Sequence, residues 1–189
     1  MEPYLYHGIK FKNLDVLIEI LSTGFILPKS MQKNAIDDGH NIFNGDKYIS
    51  LSQKTLIEDD MRYRARCSFD SCIHNNINIV ISNFWDIIYP DYVNWDYLSP
   101  ERARAIKLSE DRHRYSDCMD EVQTDKPVPK SNFIAIGYPT NLRSDPKEAE
   151  ADVKRIYEAL ERAQLRIPVI DSSHYDFADT EEHIKKYTL

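Results

Sequence analysis

In the run Leu5-Tyr6-His7-Gly8, Tyr4 to His7 reads as a first strand that ends on the histidine, with the glycine directly after it. Asn13 then stands as an N-cap ahead of a helix carrying Leu14, Leu17, Ile18 and Leu21 on one face, and Gly24 ends that helix. Downstream, Tyr48-Ile49-Ser50-Leu51-Ser52 alternates apolar and small polar residues, the pattern of a strand with one buried face. Ile77 to Ile81 is a β-branched run suited to a central buried strand, and Glu121 to Thr124 and Phe133 to Gly137 supply further strand material.

Between these lie segments of other kinds. Pro28 to Lys47 is rich in turn formers, including Asp37-Asp38-Gly39 and Asn44-Gly45-Asp46, and reads as a long loop, the kind of segment that often covers a ligand, with Ile42 and Phe43 as candidate anchors. Thr55 to Arg66 and Ser99 to Glu110 read as helices, the second opened by Ser-Pro-Glu, and Phe84 to Trp95 is aromatic and irregular. Asp145-Pro146 opens a long helix with Ala149, Val153, Ile156, Tyr157 and Leu160 in one stripe. Ile167 to Ile170 reads as a short strand whose proline favours a sheet edge, and Thr180 to Tyr187 as a weak terminal helix. This order predicts an α+β fold in one domain over residues 1–189, not a doubly wound sheet with alternating helices.

Composition narrows the partners. The 31 acidic residues outweigh 24 basic ones, and a net charge of −7 repels a phosphate backbone, so nucleic acid is disfavoured as a general ligand. The basic stretches Met61 to Arg66 and Arg112-His113-Arg114 offer at most a small cationic pocket or a solvated face. Three cysteines, Cys67, Cys72 and Cys118, have no Cys-x-x-Cys spacing, which points away from a disulfide frame or a zinc site and towards a reducing compartment. No segment approaches the ~20 apolar residues of a membrane span. Met1-Glu2-Pro3-Tyr4 lacks the basic and apolar regions of a cleaved signal, so the expectation is a cytoplasmic protein, or one delivered into a host cytosol without such a signal. The glycine-rich nucleotide loops, His-Glu-x-x-His and Gly-x-Ser-x-Gly are all missing, and no metal site is expected.

Tyr6-His7-Gly8 followed by a helix resembles the first motif of the ADP-ribosyltransferases, in the branch shared by diphtheria toxin and the poly(ADP-ribose) polymerases, with Ile9 in place of that motif's threonine or serine. Tyr48-Ile49-Ser50-Leu51-Ser52 is similar to the second motif, joining the tyrosine of that branch to the Ser-x-Ser of the cholera-toxin-like branch. Asp120-Glu121-Val122-Gln123, followed by Val128-Pro129 and an Ile-rich strand, resembles the third, with some likeness to members that modify DNA bases. The likeness covers residues 4–137; the helix and edge strand at 145–171 lie beyond it.

The resemblance implies a split mixed β-sheet with flanking helices and NAD as co-substrate. It implies Glu121 as the catalytic carboxylate, and His7, Gly8, Tyr48, Ser50, Ser52 and Tyr63 as NAD-binding residues, with segments 28–47 and 108–120 covering the ligand. It implies transfer of ADP-ribose to a macromolecule, and the acidic balance favours a protein acceptor. An NAD glycohydrolase and a non-catalytic NAD- or ADP-ribose-binding module are the alternatives, and the biological setting stays open between toxin, effector, phage protein and regulator. Plainer readings stand beside each residue: His7 as a strand-end histidine tied to a nearby carbonyl, Ser50 and Ser52 as outward hydroxyls, Glu121 as a solvated acid, and Tyr63 as a core aromatic. Tyr89, Tyr92, Trp95 and Tyr97 read as core or a lid packing surface, and Cys118 is not promoted to a nucleophile.

Overall fold

The computed structural model describes residues 4–31, 48–53, 74–87, 121–174 and 180–189, with the main chain alone at 29, 53, 121 and 122. The expected helices Thr55 to Arg66 and Ser99 to Glu110 lie outside these residues. So do the loop beyond Met31, most of the aromatic stretch to Trp95, the basic stretches at 61–66 and 112–114, the segment 108–120 and all three cysteines.

The strands are β1 (Leu5–Lys10), β2 (Phe25–Ile26), β3 (Ile49–Gln53), β4 (Asn76–Ile81), β5 (Glu121–Thr124), β6 (Val128–Pro129), β7 (Phe133–Tyr138) and β8 (Val169–Asp171). The helices among the described residues are α1 (Leu14–Thr23), α2 (Pro146–Arg162) and α3 (Thr180–Lys186). Six strands form one mixed sheet in the order β5-β3-β1-β4-β7-β8, while β2 and β6 pair separately. The pairs are antiparallel except β7 with β8, which are parallel and joined through α2. A parallel pair needs a long crossover, and α2 supplies it.

β4 is central because its side chains suit burial on both faces: Ile77, Ile79, Val80 and Ile81 are all at 0 % exposure. On one face Leu5, Ile9, Ile49, Leu51, Ile79 and Ile136 pack against Leu14, Leu17 and Leu21 of α1 and Ile156 and Leu160 of α2. The other face carries a smaller cluster of Tyr6, Val80, Ala135 and Ile170, with Ile184 of α3 against it. Burying more than twenty large apolar side chains among the described residues, at ~1.5–3 kcal/mol each, is the main driving force for this arrangement.

Local signals are obeyed unevenly. Gly24 ends α1 in the left-handed region (φ 78°) and its N–H donates to Ile20 O, as expected. Asn13 does occupy the N-cap position, but its side chain makes no capping bond; its backbone (φ −106°, ψ 45°) departs from the extended geometry that aims the side chain at the first turn. Asp145 has that geometry and accepts from Lys147 N at 2.9 Å. The first strand runs on past His7 to Lys10, because β4 pairs with it along its whole length. The stripe on α2 is rotated from expectation: Asp152 is buried, whereas Tyr157 is 37 % exposed and donates to Leu189 O at 2.7 Å. Asp152 is tolerated inside because Tyr138 Oη donates to it at 2.7 Å and Arg143 Nε at 2.9 Å. Burial and that acceptor push the Tyr138 phenol up to about 12, so it stays a donor. No helix among the described residues is long and apolar enough to cross a membrane.

Candidate functional site

The three motif stretches lie on three neighbouring strands, β1, β3 and β5. Sheet pairing sets their alignment: Tyr6 faces Ser52, Ser52 faces Glu121, and Ser50 faces Gln123. Residues paired directly across an antiparallel ladder project from the same face. Tyr6, Ser52 and the main chain of Glu121 therefore occupy one row of the register, with Ser50 and Gln123 paired two positions along. Strands lie ~4.8 Å apart, so the backbone at Glu121 is about 10 Å from that of Tyr6.

The β1–β3 ladder is short. Its pairs are Leu5 with Gln53 and Tyr6 with Ser52, whereas β1 remains paired to β4 through Lys10. From His7 onward, ladder pairs among the described residues hold β1 on the β4 side alone. His7 stands at the point where the two strands cease to pair, and its Nδ1 donates to Ser50 O at 3.1 Å. Strict alternation assigns His7 to the α1 side of the sheet, opposite the Tyr6–Ser52–Glu121 row. Its bond to Ser50 O ties the ring to the neighbouring strand just where β1 and β3 cease to pair.

That bond fixes the chemistry of the imidazole. A carbonyl only accepts, so the proton sits on Nδ1 and Nε2 carries the lone pair. Desolvation holds the imidazole below its ordinary value against the opposing pull of the Ser50 carbonyl, so the neutral form dominates at neutral pH. The plainer expectation of a histidine tied to a nearby carbonyl is what this bond shows.

The remaining expected residues divide. Gly8 is exposed and faces Asn78 of β4, which in turn faces Gly137 of β7. Ser50 is exposed, Ser52 is buried at 8 %, and Tyr48 is half-buried just ahead of β3. Tyr63 lies outside the described residues. Sequence reasoning passed over Gln123, buried at 8 %, and Asn78, buried at 1 %, both on the polar face of the site. The period of two from Glu121 marks Gln123, but nothing local marks Asn78, which is buried because β7 brings a glycine beside it. Among the described residues no group of three or more His, Cys, Asp or Glu side chains is arranged to hold a metal ion.

No protein-family model, no curated protein and no solved structure matches the chain.

Proposed function

We propose that this chain is an NAD-dependent ADP-ribosyltransferase of the α+β, split-sheet kind, which moves ADP-ribose to a macromolecular acceptor, a protein given the charge of −7, and releases nicotinamide. One observation carries the reading. Three stretches up to 116 positions apart, chosen for their residue types, fold onto adjacent strands, and the register brings Glu121 level with Ser52 at the end of the ladder where His7 stands.

The chemistry follows from the residue types. Breaking the bond between nicotinamide and ribose sends the bonding pair to the nicotinamide ring, which loses its positive charge, and leaves an oxocarbenium-like ribose. The Glu121 carboxylate stabilises that charge and holds the 2′-hydroxyl while the acceptor's nucleophile attacks C1′ and gives up its proton. His7 Nε2 accepts from a hydroxyl of the other ribose, and the diphosphate bridges the distance between the two. Gly8, bare and exposed, admits the nicotinamide carboxamide to the backbone, Ser50 and Ser52 line the floor, and Tyr48 or Tyr63 stacks on the leaving ring. The absence of a disulfide spacing favours work in a cytosol.

Glu121→Gln tests this directly. It should abolish nicotinamide release while calorimetry finds NAD affinity within a few-fold of the wild type; an active Glu121→Gln chain refutes the assignment. Labelled NAD incubated with lysate distinguishes transfer, in which label stays on protein, from a glycohydrolase, which yields free ADP-ribose. A binding-only module is favoured by one residue: Ile9, 5 % exposed in the core, stands where the family's motif has a hydroxyl. NAD binding with no turnover over long incubation selects that reading.

A further inference from the structure

The C-terminal helix is attached to the motif strand itself. Tyr4, just ahead of β1, and Tyr6 within it both reach the first residues of α3: Tyr4 Oη donates to Glu181 Oε1 at 2.9 Å, and Tyr6 Oη lies 2.8 Å from Thr180 Oγ1. The second contact is buried, with Tyr6 at 0 % and Thr180 at 5 % exposure. α3 has only seven residues and would not hold its shape alone. Its far end is sewn to β8, where Asp171 N donates to Tyr187 O and Leu189 N to Val169 O, each at 2.8 Å, and Ile170 bridges Thr188. The helix therefore ties the edge of the sheet to its centre.

Tyr6 is the last residue of β1 in the β3 ladder and the first member of the row that runs through Ser52 to Glu121. Neighbours across a ladder have Cβ atoms ~5 Å apart, so a displaced Tyr6 disturbs Ser52 first and Glu121 next. A buried phenol is held in place by its hydrogen bonds, and removing the one with Thr180 Oγ1 loosens that hold. Resting on the transferase reading, we infer that Thr180 is a positioning residue: by holding the Tyr6 hydroxyl it fixes the last ladder pair before the opening, and with it the alignment of Glu121 against His7. Thr180 itself touches neither substrate nor the reacting atoms.

The test uses the whole chain and five variants: Thr180→Val, Thr180→Ser, Tyr6→Phe, the Tyr6→Phe/Thr180→Val double and Tyr4→Phe. Thr180→Val and Tyr6→Phe should each lower kcat for nicotinamide release roughly tenfold with KM for NAD held within about twofold, since misplacement of a reacting group acts on the transition state. Thr180→Ser should recover the wild-type rate, the double should be no slower than either single, and Tyr4→Phe should be near wild type. An unchanged kcat in Thr180→Val, a Thr180→Ser as slow as the valine form, or a rise in KM alone overturns the inference. A wild-type chain that releases no nicotinamide removes the transferase reading by itself. The clamp is then judged by the backbone amide shifts of Ser52 and Glu121, which Thr180→Val should move and Thr180→Ser restore; unmoved amides overturn it.

Discussion

Gly137→Ala is the sharpest test of the packing behind the site. Gly8, Asn78 and Gly137 form one row across β1, β4 and β7, and the Asn78 amide lies over Gly137. A Cβ added at Gly137 would stand 2.4 Å from both Asn78 Nδ2 and Oδ1 and 2.7 Å from its Cγ, well inside contact distance. Asn78 is 1 % exposed, so its side chain moves aside only by displacing other packed atoms. Overpacking of this kind costs ~1–3 kcal/mol, against a gain of ~0.4–1 kcal/mol from the stiffer unfolded chain. A net loss of about 1.5 kcal/mol should result, a fall in Tm of roughly 5 °C for a domain of this size. The assay is equilibrium urea unfolding of four proteins: wild type, Gly137→Ala, Asn78→Ala and the double. The clash disappears in the double, so its loss should be smaller than the sum of the singles by at least about 1 kcal/mol. A neutral Gly137→Ala, or strictly additive losses, refutes the claim that Asn78 occupies this space.

Lys130 Nζ donates to Ala163 O at the end of α2 at 2.7 Å, while its methylenes lie over Gly24, Cδ 3.3 Å from where a Cβ would stand, so Lys130→Met should cost about 1 kcal/mol and Lys130→Ala more, read by thermal unfolding. Asp152→Asn keeps the shape but removes the charge that Arg143 and Tyr138 share, and should cost about 2 kcal/mol, less than a fully buried pair because Arg143 is partly exposed. Burial raises the Asp171 carboxyl, but bonds from Ser173 and Thr140 outweigh it and hold the group below its usual 3.8. Its stabilising contribution is therefore full above that value and lost as pH falls through the folded-state pKa, and Asp171→Asn should flatten the acid limb of a stability–pH curve. His7 works in the same direction from a higher start: desolvation, only partly offset by the Ser50 bond, lowers it from 6.5, so the unfolded chain takes the proton first and stability declines as pH drops below about 6.5. An NMR titration showing His7 ionising above 6.5 would contradict this.

How far the site was legible depends on the range of the signal. Gly24, Asp145-Pro146 and the β-branched run of β4 act through neighbours in the chain, so their effects read directly from the residues. The period of two placed Ser50 and Ser52 on one side of their strand, and the register agrees. Asn13 failed as a cap because the entry angle of α1 is set by packing on the sheet rather than by the preferred cap geometry. Tyr157 gave its inward place to Asp152 because Arg143 and Tyr138, nine and fourteen positions away, neutralise and bind that carboxylate. The small β2–β6 pair escaped notice because two residues on each side carry no periodicity.

The amino-acid order alone determined which of the described stretches extend or coil and where two of the helices are capped or stopped. Tertiary structure alone decided that β5 lies against β3, that the ladder gives out at His7, and that a seven-residue helix from the far end of the chain grips Tyr6. The division has a physical cause. Turn and cap preferences are settled within a few residues, whereas strand partners and register are settled by how much apolar surface the whole sheet can bury at once, and a slip of a single residue would undo the pairing of Ser52 with Glu121.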